Sequence, residues 1–159
     1  MIKITIIALG RLKEMYLREA GKEYSKRLSR YCSLDIVELE PQRLPDNPSE
    51  AEINMALEKE ADMILKKIPN GSGVVTLCVE GKGMSSPVLA QKIKSSADMG
   101  KGITFIIGSS YGLSEKVKKS SEIRLSMSEM TFPHQLFRVM LLEQIYRGFK
   151  INEGSAYHK

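Results

Sequence analysis

The chain has 159 residues, of which 42% are hydrophobic and 27% charged, and this length and composition predict one globular domain over residues 1–159. Its two cysteines, Cys32 and Cys78, have neither metal-ligand nor CxxC spacing, which argues against a disulfide scaffold or a zinc site and indicates a reducing compartment. The first ten residues contain only four consecutive apolar residues, too few for a signal peptide or a membrane span. We therefore expect a cytoplasmic protein with no membrane partner and, given just two histidines, no metal.

The charge is unevenly distributed. The net charge is +5, but residues 35–62 carry nine acids and two bases, so that residues 1–34 hold +5 and residues 63–159 hold +7. This asymmetry favours a polyanionic partner on the basic side. Solvated surface helices are also commonly charged. Charge alone therefore allows two interpretations, a nucleic-acid-binding surface or an ordinary solvated surface.

Short β-branched runs alternate with segments of helical period along the whole chain. In chain order the predicted elements are strand 2–9, helix 13–31, strand 34–39, helix 49–68 begun by Ser49, strand 74–79, a helix with Ser86 as N-cap and Pro87 in its first position, strand 103–107, helix 114–120, strand 123–126 and helix 133–150. The alternation predicts an α/β fold with a Rossmann-like, mostly parallel and doubly wound sheet. Ligands of such sheets bind at the carboxyl ends of the strands.

Three loops at those ends hold the unusual residues: 80–85, 108–112 and 126–133. Neither GxGxxG nor GxxxxGK[ST] spacing occurs there, which disfavours a ligand held by its phosphates. Gly108 and Gly112 would let the backbone approach a flat ligand closely. Alternatively, they simply end a strand.

The last predicted helix is apolar around most of its circumference. Glu143, Arg147 and Lys150 share one face, while His134 and Arg138 lie opposite. Such a helix needs cover on more than one side, which a second subunit in a homodimer or the core of its own monomer could supply. Glu143 and Arg147 form either a simple helical ion pair or part of a site.

The chain ends in GSAYHK. Tails of this kind are usually disordered. If the tail is ordered, Tyr157 can stack on a base, His158 can move a proton and Lys159 can meet a phosphate.

The segments GSSYGLS, LSMSEMTFPHQLFRVMLLEQIYRGFKINEG and AYHK resemble the RlmH family, the bacterial 23S ribosomal RNA pseudouridine-N3 methyltransferases of the SPOUT superfamily. The family pattern is also matched by the N-terminal segment IKITIIALGRLKE and the central segment TLCVEGKGMSS, so the resemblance covers essentially the whole chain. It implies an α/β fold with a C-terminal trefoil knot and a homodimer. It also implies methylation of N3 of a pseudouridine in 23S rRNA on the assembled 70S ribosome.

The same resemblance implies that S-adenosylmethionine is the methyl donor and is held by backbone groups of the three loops. Carried over by motif, the residues that bind this donor are Leu77, Gly108, Ser128, Glu129, Met130, Thr131, Phe132 and Pro133. Ser109 stands where the family usually has a second glycine, and we expect a small local adjustment there.

Methyl transfer to a ring nitrogen requires loss of the nitrogen's proton, and the titratable candidates are His158 and Glu143. We favour His158 as the base, with Tyr157 positioning the target and Arg147 contacting RNA or organising the site. Lys159 and the basic residues of 1–34 would meet phosphates. The tail of one subunit could complete the donor pocket of the other.

Three other readings remain. A knotted methyltransferase acting on transfer RNA would share the donor loops but not usually the YHK tail. A ribosome-binding or assembly factor would keep the fold without transfer, although the retained MTFPHQ and AYHK segments argue against that loss. A flavodoxin-like mononucleotide binder is disfavoured by the missing phosphate loop.

Overall fold

Five strands alternate with five helices in a computed structural model that describes all 159 residues. The elements are β1 (Ile2–Leu9), α1 (Met15–Leu28), β2 (Cys32–Leu39), α2 (Glu50–Lys67), β3 (Gly73–Gly83), α3 (Ser86–Asp98), β4 (Ile103–Ile107), α4 (Glu115–Lys119), β5 (Ile123–Ser126) and α5 (His134–Asn152). The strands lie in the order β2-β1-β4-β3-β5, and every pairing is parallel. The predicted α/β class is therefore confirmed, with a sheet that is wholly rather than mostly parallel.

Helices cover both faces of the sheet because successive side chains of each buried strand point to opposite sides. On β4, Phe105 packs into a cluster with Leu141 and Leu142 of α5, while its neighbour Ile106 packs into a second cluster with residues of α2 and α4. Residues of α1 and α3 also belong to the first cluster. The sheet is thus doubly wound, as predicted, and α5 lies on the same face as α1 and α3.

Helices α2 and α3 each begin after a serine whose hydroxyl accepts a hydrogen bond from a backbone N in the first turn. Ser49 begins α2 as predicted: its hydroxyl accepts from the backbone N of Glu52 at 3.1 Å, and the Glu52 carboxylate accepts from the backbone N of Ser49. The prediction that Ser86 caps α3 is wrong. Ser85 is the N-cap, because its hydroxyl accepts from the backbone N of Val88 at 3.4 Å. The hydroxyl of Ser86 instead donates to Gln144 of α5 at 2.6 Å.

Strand β3 extends four residues beyond its predicted end, so residues 80–83 are not loop. A register shift produces the extension: Leu77 and Lys82 both lie opposite Leu125, and the residues between them bulge out of the ladder. Gly81 permits this contact, since a Cβ there would lie 2.6 Å from the carbonyl oxygen of Arg124. Apolar alternation stops before the bulge, which is why the sequence pattern did not reveal it.

Helix α5 is the longest helix, yet no helix in the structure combines the length and hydropathy needed to cross a membrane.

Replacing Gly81 with Ala is expected to destabilise the protein by about 1–3 kcal/mol, because the new methyl group would push β3 away from the β5 backbone. Urea unfolding followed by circular dichroism would measure the change. Gly83→Ala, two residues along the same strand, is the matched control because a Cβ there meets nothing within 4 Å. Equal stabilities of the two variants would contradict the assigned bulge.

Candidate active site

A cavity of about 510 Å³ opens at the carboxyl ends of β3, β4 and β5. Its walls come from residues 77–80, 107–113 and 125–133 without Glu129, from Lys118 of α4, and from His134 and Phe137 in the first turn of α5. Parallel strands bring these segments together because their carboxyl ends share one edge of the sheet. The predicted clustering of chemistry at this edge is therefore seen as a single cavity.

The turn after β4 requires both of its glycines. A Cβ at Gly108 would lie 2.3 Å from the carbonyl oxygen of Gly112, and Gly112 itself has φ +84°. The backbone N of Gly112 donates to the carbonyl of Ser109 at 2.9 Å, which closes the turn. The result is a compact stretch of backbone along one wall of the cavity.

Ser109 ties this turn to helix α2. Its hydroxyl donates to Oε1 of Glu60 at 3.2 Å, and Oε2 of Glu60 accepts from the backbone N of Gln42 at 2.9 Å. Glu60 is only 4% exposed, so these two donors satisfy a buried carboxylate. Sequence reasoning missed Glu60, because one acid in a helix rich in acids carries no sign of burial.

The segment after β5 is held by its own serines. The hydroxyl of Ser126 donates to the carbonyl of Ser128 at 3.0 Å, and the Ser128 hydroxyl accepts from the backbone N of Met130 at 3.0 Å. The ring of Phe132 meets Phe137 of α5 edge to face, with 5.5 Å between centroids. All but one of the residues expected to bind the donor line the cavity: Leu77, Gly108, Ser128, Met130, Thr131, Phe132 and Pro133. The exception, Glu129, is exposed and lies outside the lining.

Few charges border the cavity. Lys118 forms an ion pair with Glu80, and this hydrogen bond lowers the pKa of the Glu80 carboxyl. Burial, with smaller contributions from Arg138 and Lys13, lowers the pKa of His134, so that this lining imidazole is neutral at pH 7. His134 and Phe137 were not among the predicted donor contacts, although His134 directly follows the TFP segment and Phe137 lies within the next turn of helix, which was a usable signal.

No three His, Cys, Asp or Glu side chains converge in a way that could hold a metal ion.

A second group of predicted residues assembles around Glu143 in the middle of α5. One of its carboxylate oxygens accepts from Nη2 of Arg147 at 2.7 Å and from the hydroxyl of Tyr157 at 3.1 Å, and the other accepts from Gln144 at 3.0 Å. Burial and the bond to Glu143 raise the pKa of Tyr157, which stays protonated. The ordered tail and the tyrosine contact show that Glu143 and Arg147 form more than an isolated helical pair.

Arg147 also organises the end of the tail. Its guanidinium lies 4.7 Å from the centroid of the Tyr157 ring, and Nη1 lies 3.3 Å from Nδ1 of His158. Because a guanidinium only donates, Nδ1 is the acceptor in this contact. Lys159 is exposed and forms no ion pair.

The two groups of residues are separate within one chain. Phe137 is the last residue of α5 that lines the cavity, and Glu143 and Arg147 follow six and ten positions later, about 9 and 15 Å along the helix at 1.5 Å per residue. No residue of the tail lines the cavity. Within one chain the structure therefore brings together most of the residues expected to bind the donor and, separately, the tail residues with Glu143 and Arg147, but does not join the two groups.

Comparison with known proteins agrees with this architecture. A family model described as "Predicted SPOUT methyltransferase" matches residues 2–158. Proteins named "Ribosomal RNA large subunit methyltransferase H" from Clostridium botulinum (strain Alaska E43), Clostridium perfringens (strain 13) and Acetivibrio thermocellus are 53%, 49% and 48% identical to this chain, with 99% of this chain and 100% of each relative covered. On these matches the chain belongs to the SPOUT methyltransferase family.

Proposed function

We propose that this protein transfers a methyl group from S-adenosylmethionine to N3 of a pseudouridine in 23S ribosomal RNA, on the assembled 70S ribosome. The cavity formed by three strand-end segments carries the proposal, because it offers one defined place for a methyl donor. The relatives' name, ribosomal RNA large subunit methyltransferase, supports the class of substrate.

The cavity suits a donor that has no phosphate groups. Its volume of about 510 Å³ falls within the range of small-molecule sites. Its one lysine, Lys118, is already paired with Glu80, so no cluster of free cations is left for a phosphate. Backbone groups near Leu77, Gly108 and residues 128–133 would hold the donor, with Glu129 contributing only as part of that segment.

We further propose that the working unit is a homodimer with composite sites. Within one chain the tail packs against Glu143 and Arg147 in the second half of α5, and no tail residue lines that chain's own cavity, so the tail of a second chain is the candidate to complete the site. In support, Leu136, Met140, Glu143 and Arg147 recur at i, i+4, i+7 and i+11 on α5, and all four are only half-buried. A two-fold axis across this stripe would bring the tail of one subunit to the cavity of its partner.

The family's trefoil knot, within one domain over residues 1–159, belongs to the same proposal. Residues 127–133 leave β5 at one edge of the sheet, and α5 then reaches the opposite edge, where Arg138 donates to Glu38 of β2. The chain thus crosses the carboxyl ends of the strands from β5 to β2 after the sheet is complete, which is the path expected if the C-terminal segment passes through an earlier loop to form the knot.

When bound, S-adenosylmethionine supplies an electrophilic methyl group and departs as S-adenosylhomocysteine. The acceptor N3 forms the new N–C bond and must lose its proton. Glu143 already accepts hydrogen bonds from three side chains, those of Gln144, Arg147 and Tyr157, so we assign it a positioning role rather than that of the base. We assign the base to His158, whose Nδ1 takes the proton once the guanidinium of Arg147 turns from the imidazole to the RNA.

The decisive experiment gives the protein labelled S-adenosylmethionine with 70S ribosomes, isolated large subunits, naked rRNA containing pseudouridine, or transfer RNA. Label confined to the large-subunit RNA of 70S ribosomes would support the proposal. Label in transfer RNA would identify the alternative methyltransferase, whereas bound donor with no label anywhere would indicate a ribosome-binding factor.

His158→Ala is expected to lower the turnover number at least about tenfold, while the Kd for S-adenosylmethionine stays unchanged. His158→Asn is the informative companion, because its amide oxygen can still accept from Arg147 but cannot take a proton. Single-turnover methylation and calorimetric donor binding would separate the two properties. Activity retained by the Asn variant would remove His158 as the base and leave it a positioning role.

Mixed dimers should recover activity from two inactive chains. One chain carries His158→Ala; the other carries Thr131→Trp, an exposed cavity residue whose enlargement blocks the donor. Random pairing makes half of the dimers mixed, each with one intact composite site, so about one quarter of wild-type activity is expected. Methylation by differently tagged, co-expressed chains measures this. No recovery, with mixed dimers demonstrated, would place the whole site within one chain.

A further inference from the structure

The loop after β1 and the exposed side of α1 carry cations that no acid neutralises. Five side chains there form no ion pair and are exposed: Arg11, Lys13, Arg18, Lys26 and Arg30. Lys22 lies among them, and its contact with Glu19 is 3.9 Å long between side chains that are 77% and 68% exposed. Such a contact contributes little, so Lys22 also remains available to a partner.

These cations form a row. Arg18, Lys22, Lys26 and Arg30 recur every four residues, which places them along one side of α1 and just past its end over about 18 Å. Glu23 does not interrupt the row, because it is paired with Arg27 at 3.0 Å. The guanidinium of Arg27 is itself turned toward the rings of Tyr24 and Tyr146.

The row begins next to the cavity. The backbone N of Lys13 donates to the side chain of Gln135 at 2.8 Å, and the preceding residue, His134, lines the cavity. One turn further along α5, the buried side chain of Arg138 donates to the carbonyl of Gly10 at 2.7 Å. The loop is therefore fixed against α5, and α1 leads away from the strand ends on the α5 face of the sheet.

Residues 35–159 together carry no net charge, because the −7 of residues 35–62 offsets the +7 of residues 63–159. Lys92 and Lys101 share Glu122, and Lys116 pairs with Asp62 of α2. Helix α2, on the other face of the sheet, belongs to the strongly acidic part of the chain. Uncompensated positive charge that leads from the cavity attracts a polyanion to this side.

We propose that this row, Arg11, Lys13, Arg18, Lys22, Lys26 and Arg30, here called the α1 track, binds the phosphate backbone of the RNA strand that flanks the target nucleotide. The inference rests on the proposed function and deepens it by assigning the surface that receives the RNA. Phosphate contacts fix the path and register of a strand without reading its bases. The track thereby directs the strand toward the donor cavity.

The test compares two triple variants. The track variant is Lys13→Gln, Arg18→Gln and Lys26→Gln. The matched control is Lys59→Gln, Lys66→Gln and Lys67→Gln, which removes three exposed, unpaired cations from α2 on the other face. Both variants lower the net charge by three, so any change in ribosome binding that net charge alone causes would be the same in both. Ribosome binding between 50 and 200 mM salt, methylation kinetics, donor Kd and thermal unfolding are measured for each.

The track variant should bind ribosomes at least about tenfold more weakly than wild type, with a log–log salt slope flatter by about 2 for three lost contacts to a single strand. Its turnover number at saturating ribosomes and its donor Kd should match wild type. The control should stay within about twofold in every measurement, since it leaves the RNA path untouched.

Wild-type affinity and salt slope in the track variant, or an equal loss in the control, would overturn the track while leaving methyl transfer by the wild-type protein intact. Failure of the wild-type protein to methylate any RNA would overturn the proposed function instead. The binding measurements would still decide the track in that case, because they do not depend on transfer.

Discussion

The whole molecule depends on five parallel strands that end along one edge. Parallel pairing buries β4 on both faces, so every one of its residues is buried and helices must cover the sheet on two sides. Because the pairing is parallel, the loops that follow β3, β4 and β5 begin next to one another at the carboxyl edge of the sheet. The cavity is therefore a consequence of sheet topology, and its walls come from turns whose backbone conformations the sheet edge holds in place.

Helix α5 connects the cavity with the group formed by Glu143, Arg147 and the tail. Its first turn closes the cavity with His134 and Phe137, and its second half supports the tail through Glu143 and Arg147. In a single chain the tail packs on α5 and does not line the cavity. This separation is the physical reason for proposing that two chains share a site, and a second subunit would cover the half-buried stripe of α5.

Hydrogen bonds between elements distant in sequence give the site its shape. Arg138 holds the loop after β1 against α5, and Glu60 holds the turn after β4 against α2. Both side chains are almost fully buried and both satisfy partners from other elements. The α1 track relies on the first of these links, because Arg138 and Gln135 fix where the row of cations begins. The proposed RNA surface and the proposed donor cavity are thereby connected through buried polar contacts.

Local residue patterns were enough to predict the alternation of strands and helices, the Ser49 cap and the three segments that surround the cavity, because hydrophobic period and capping are local properties. The motifs MTFPHQ and AYHK also indicated the family that the full-length matches established. The bulge of β3, the cap at Ser85, the burial of Glu60 and the separation of the tail from the cavity became visible only in the folded chain. Each of these depends on which backbone or side chain lies across a contact between distant segments, and no local pattern of residues carries that information.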